Sequence, residues 1–152
     1  MKLAEALILR SDYQKRIEHL RNRLLQNAKI QEGETPNEDP KVLIKELNQL
    51  LSDLKKLIKN INRTNLQTAF NDSQSVADAL TERDLLSQER KIYSALLEAA
   101  AIPHDRYSRT EIKYVSTINV RETQNYVDEL SQKHRILDTK IQEINWLTNV
   151  IE

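Results

Sequence analysis

Apolar residues recur along this chain in alternating steps of three and four, the spacing that lines side chains along one face of an α-helix. Leu3, Ala6, Arg10, Tyr13, Ile17, Leu20 and Leu24 trace the first such seam, with Arg10 as a polar exception. The pattern predicts a helix from residue 3 to about Glu32, stopped by Gly33, because glycine adopts a left-handed backbone without strain. A polar connection follows to Asp39, and Asp39-Pro40 reads as a helix start, a capping carboxylate followed by a proline at the first helical position. Leu43, Leu47, Leu50, Leu54, Leu57 and Ile61 carry the second seam. Ile44, Leu51 and Ile58 widen it enough to touch more than one neighbour.

Beyond Ile61 the stripe fades, and the alternation of Leu66, Thr68 and Phe70 before the turn-like Asn71-Asp72-Ser73 predicts an extended piece over residues 64–70. Ser75 with Asp78 resembles a capping box, opening a third helix through Val76, Ala79, Leu80, Leu86, Tyr93, Leu96 and Leu97 that ends at Ile102-Pro103. A polar loop over residues 104–111 leads to Ile112–Thr117, rich in β-branched and aromatic residues and read as a strand. A lone strand needs a partner for its backbone, either the 64–70 segment or a second subunit. Asn119 with Glu122 caps a fourth helix. Its seam, Val120, Thr123, Val127, Leu130, His134, Leu137, Ile141, Ile144, Thr148 and Ile151, runs unbroken to the C-terminus. The expected fold is therefore mainly all-α: four long amphipathic helices in one bundle domain over residues 1–152, with a short β-ribbon-like excursion near 64–70 and 112–118.

Composition narrows what such a bundle could do. With 23 basic and 23 acidic residues the chain lacks the basic bias that nonspecific binding to nucleic acid or anionic membranes requires. Absence of cysteine rules out disulfides, thiol catalysis and Cys-ligated metal, and suits a reducing cytoplasm. Glu5 and Arg10 interrupt the first apolar stretch before a secretory core could form, and no apolar run approaches the roughly 18–20 residues of a membrane span. A soluble, cytoplasmic protein is expected.

Candidate chemistry is sparse. A di-metal carboxylate bundle needs Glu-x-x-His on two helices. His19, His104 and His134 each lack an acidic residue three positions earlier, so no metal or other cofactor is expected. His134 reads as a core or interface histidine. Glu82, Asp84 and Glu89 are the only acids clustered as a magnesium-dependent pyrophosphohydrolase would require, and Arg83 and Arg90, at seam positions, account for them as ion pairs. The same arginines could set register between helices. Arg63, Asn65, Arg106, Arg109 and Lys113 could hold a small anion if the two extended segments pair, although Asp105 and Glu111 lie among them. The sole glycine is Gly33, so there is no glycine-rich phosphate loop and no nucleophile elbow. Trp146, beside the fourth stripe, reads as a packing anchor.

Five segments together, Met1–Arg10 (MKLAEALILR), Ile61–Asn65 (INRTN), Ala79–Asp84 (ALTERD), Asp105–Arg109 with Glu111–Lys113, and Ile141–Trp146 (IQEINW), resemble the septicolysin-like family of small bacterial helical proteins. The resemblance spans the chain and implies a helical fold and a cytolysin label, with no catalytic residue attached. The residues favour a homo-oligomeric structural or interaction module whose excess apolar seam is buried against further copies of itself. A nucleotide-binding or hydrolysing bundle and a membrane-active cytolysin are the alternatives.

Overall fold

The computed structural model describes residues 1–101 and 112–152; the predicted loop at 104–111 lies outside them. The protein is all-α, with helices α1 (Leu3–Gln26), α2 (Pro40–Gln67), α3 (Val76–Ala100) and α4 (Val120–Leu147). The chain groups into two compact units, Met1–Val76 with Gln142–Glu152, and Ala77–Ile141.

In the first unit α1 and α2 form an antiparallel hairpin along the predicted seams. Near one end Leu3, Ala6, Leu57 and Ile61 pack together, and near the other Leu20, Leu43 and Leu50, with Tyr13 against both clusters. Each leucine buried this way is worth about 1.5–3 kcal/mol relative to exposure. The Asp39 side chain accepts a hydrogen bond from the Lys41 amide at 2.9 Å with Pro40 beside it, as the sequence predicts.

Helix α1 ends at Gln26, six residues before its predicted stop at Glu32. The Asn27 side chain explains this: its Nδ2 donates to the Arg23 carbonyl at 2.8 Å while its Oδ1 accepts from the Glu38 amide at 3.0 Å, pulling the chain across towards α2. Arg23 then closes the loop on the Glu38 carboxylate, its Nε within 3.2 and 3.0 Å of the two oxygens. That charge-assisted bond pushes the Glu38 carboxyl below its ordinary pKa and the Arg23 guanidinium above its own. Gly33 has φ +87°, inside the turn closed by the Glu34 amide and the Gln31 carbonyl rather than at a helix end.

Among the described residues, neither 64–70 nor 112–118 forms a strand. Helix α2 continues through Gln67, so most of the predicted extended piece is helical. Thr64 is fully buried; its Oγ1 donates to the Asn60 carbonyl at 2.8 Å and accepts from the Ile151 amide at 2.9 Å. A residue that looks strand-tolerant in sequence is thereby held in the helix by a partner from the far end of the chain. After α2, Ala69 and Ser75 make an isolated bridge around a turn in which Asn71 Oδ1 accepts from the Ser73 and Gln74 amides. Residues 112–116 form no strand, and Ile112, Tyr114 and Val115 are 94%, 85% and 77% exposed.

The first unit is completed by the C-terminal segment. Helix α4 stops at Leu147 instead of running on, because residues 148–151 lie extended against the start of α1. The Leu3 amide donates to the Thr148 carbonyl and the Val150 amide to the Met1 carbonyl, both at 2.9 Å, and Lys2 Nζ donates to the Leu147 carbonyl at 3.0 Å. Trp146 is 55% exposed, and Asn145 takes the buried position beside it.

In the second unit α3 and α4 run antiparallel, Arg83 meeting Asp138 and Tyr93 meeting Tyr126. Ala79, Val127, Leu130 and Ile141 are buried there. Asn119 caps α4 as predicted, its Oδ1 accepting from the Glu122 amide at 3.1 Å.

Candidate association surface and polar seam

The charged middle of α3 resolves into bonds to α4. Arg83 Nη1 donates to Asp138 Oδ1 at 2.9 Å, and its Nε and Nη2 lie 3.4 Å from Asp84 Oδ1. One turn or so further on, Glu89 Oε1 accepts from the Tyr126 hydroxyl at 2.5 Å, and the Tyr93 ring meets the Tyr126 ring edge to face, centroids 4.9 Å apart. A carboxylate that accepts the phenol's proton bond favours the neutral phenol, so the Tyr126 pKa is pushed up to about 12, chiefly by Glu89. These contacts fix which turn of α3 faces which turn of α4, the register role that polar groups at seam positions can take.

Of the predicted polar seam, then, Arg83, Asp84 and Glu89 are structural partners. Glu82 is exposed, while Arg90, His134 and Arg10 are half-buried. Among the described residues no three His, Asp or Glu side chains converge as a metal site would require, and Glu82, Asp84 and Glu89 do not make one. Of the predicted anion cluster, Arg63 is exposed and Asn65 half-buried on α2, in the first unit. Lys113 is exposed in the second, and Arg106 and Arg109 lie outside the described residues. A groove of about 400 Å³ between α1 and α2 is lined by Tyr13, Arg16, Val42, Lys45, Glu46 and Asp53 among others. Its charged side chains are of both signs, Arg16 and Lys45 with Glu46 and Asp53.

Asp138 and Tyr126 were not singled out from sequence, and Tyr93 was read only as an apolar seam residue. All three stand near apolar seam positions of α3 and α4, and a tyrosine or aspartate there is the available signal that a buried polar contact is needed.

The larger unabsorbed feature is apolar. On α2, Ile44 and Leu51 are 47% and 43% exposed, and Leu47, Leu54 and Ile58 are half-buried on the same side, beside the line that faces α1. On α3, Leu85 and Ile92, two turns apart, are each 59% exposed, and Leu96 is 40% exposed. Single exposed leucines are ordinary; stripes at helical spacing are the usual mark of a face meant for another helix. Among the described residues no helix is long and apolar enough to cross a membrane.

The chain is similar over its whole length to a conserved protein of unknown function from Corynebacterium diphtheriae whose crystal structure is known. The two are 42% identical, the match covers 99% of each chain, and the TM-score is 0.93. No curated protein matches it. A family model, the Family of unknown function (DUF6847), matches residues 10–150. Neither carries the septicolysin label that the sequence resemblance suggested. By that near-complete match the chain belongs to the Family of unknown function DUF6847.

Proposed function

We propose that the protein is a homo-oligomeric structural or interaction module that works in the cytoplasm, its helices presenting apolar faces to further copies of the chain. The observation that carries this reading is the α2 stripe of Ile44, Leu47, Leu51, Leu54 and Ile58, left partly open to solvent by the contact with α1. Burying such a stripe is favourable by about 25 cal/mol for every Å² removed from water, and symmetric association of identical chains is the commonest way to do so. The second unit supports the same reading with Leu85 and Ile92. A cysteine-free chain fits a reducing compartment. Size-exclusion chromatography with light scattering at micromolar concentration tests it: a dimer or larger species is expected, and a monomer of 17.8 kDa overturns it.

A further inference from the structure

We infer that the α2 stripe pairs with the same stripe of a second copy, antiparallel and about a twofold axis, in the register that sets Leu51 against the second copy's Leu54. This rests on the association reading above and adds the partner surface, its orientation and its register.

The stripe is close to a palindrome. Ile44, Leu47, Leu51, Leu54 and Ile58 read Ile-Leu-Leu-Leu-Ile in either direction, with three-four alternation throughout. Two such helices laid antiparallel interdigitate with each residue falling opposite a residue of the complementary position. When Leu51 meets the second copy's Leu54, Leu47 meets its Ile58, and the twofold axis repeats both layers. Those layers are aliphatic, and Ile44 falls at the end of the contact, opposite the second copy's Ile61, which is buried against α1. An isologous contact demands this kind of self-complementarity, since each surface must fit a copy of itself.

Charge then selects the register. The flank of the stripe away from α1 carries Lys41, Asn48, Lys55 and Asn62, one heptad apart, and all four are exposed. In the proposed register Lys55 lies across from the second copy's Asn48, and Lys41 across from its Asn62. A slip of one heptad in one direction sets Lys41 against Lys55 across the axis, and a slip in the other sets Lys55 against Lys55. Both bring like charges together, and the second also leaves only Leu54 and Ile58 of the stripe facing each other, which disfavours them. The alternation of lysine and asparagine thus penalises the neighbouring registers that the apolar spacing alone would permit.

The absence of cysteine makes the test direct. The exposed residues Lys41 and Asn62 are replaced together, Lys41→Cys with Asn62→Cys, and treated with a short bismaleimide. Within one chain the two thiols stand about 30 Å apart along α2, too far for the reagent to join them. Across the proposed pair they are neighbours, so the double variant gives a covalent dimer. Either single variant gives none, because identical positions in two antiparallel copies are again about 30 Å apart. Circular dichroism confirms that these surface variants keep their helices. An oligomer by light scattering that does not cross-link in the double variant, or that cross-links in a single variant, overturns the pairing while leaving association standing. A monomer overturns both.

Discussion

Thr64 is the position where one atom carries the most. Its Oγ1 is the acceptor for the Ile151 amide at 2.9 Å, it donates to the Asn60 carbonyl at 2.8 Å, and the residue is fully buried. Thr64→Val keeps the shape and the β-branch but removes the oxygen. The Asn60 carbonyl loses little, since it still has its place in the helical ladder. The Ile151 amide loses its acceptor, and a buried donor without a partner costs about 1–3 kcal/mol. For a chain of this size that lowers the melting temperature by about 2–4 °C per kcal/mol. Thr64→Ser keeps the oxygen and gives up one methyl group, a loss of about 1 kcal/mol. Urea denaturation measures the totals, and amide hydrogen exchange at Ile151 isolates the bond: protection falls in the valine variant and is retained in the serine variant. If the valine variant matches the parent in stability and in exchange at Ile151, the hydroxyl is not holding the C-terminal segment and the reasoning is wrong.

Three further outcomes follow from bonds described above. Asp138→Asn and Arg83→Met, combined in a double-mutant cycle, give a coupling of about 0.5–1 kcal/mol that shrinks with added salt, as befits a partly exposed pair; zero coupling at low salt contradicts a register role. Ultraviolet titration resolves one tyrosine ionising near pH 12, and Tyr126→Phe or Glu89→Gln abolishes that component. Because the folded pKa is raised, this group's contribution is fully present below the ordinary phenol value near 10 and is lost as pH climbs towards 12, so the parent loses stability across that window more steeply than Tyr126→Phe. Gly33→Ala forces an alanine into φ +87° with open space around its Cβ, a backbone cost of about 1 kcal/mol without any clash, measurable as a lower urea midpoint.

What was legible in the sequence was local. Asp39-Pro40 and Asn119 name their own helix starts because the capping atoms lie within three residues of the amides they serve. The seams of α1 and α2 carry the hairpin because periodic burial is a property of one helix and its immediate neighbour. Gly33 was rightly marked as needing unusual backbone, yet as a helix stop it was misplaced: Asn27 and Glu38, eleven residues apart, end α1 first. The β-tolerant look of residues 64–70 misled for a related reason, since Thr64 gains its helical place from Ile151, 87 residues away. The candidate site divides the same way. Arg83 and Glu89 were visible as polar intrusions into a seam, but Asp138 and Tyr126, 55 and 37 residues further on, could not be assigned to them from spacing.

The strand-like join between residues 148–151 and the start of α1 also bears on the order in which the chain takes shape. Lys2 and Leu147 are 145 positions apart, and contacts of such long range are paid for in loop entropy before they give anything back. During synthesis the α1–α2 hairpin can collapse on its own leucines as soon as α2 has emerged. The ends of that hairpin, the first turn of α1 and the buried hydroxyl of Thr64, stay unfinished until ribosomes have passed Ile151. One end of the first hairpin thus stays open while α3 and α4 are being made, and residues 148–151 close it.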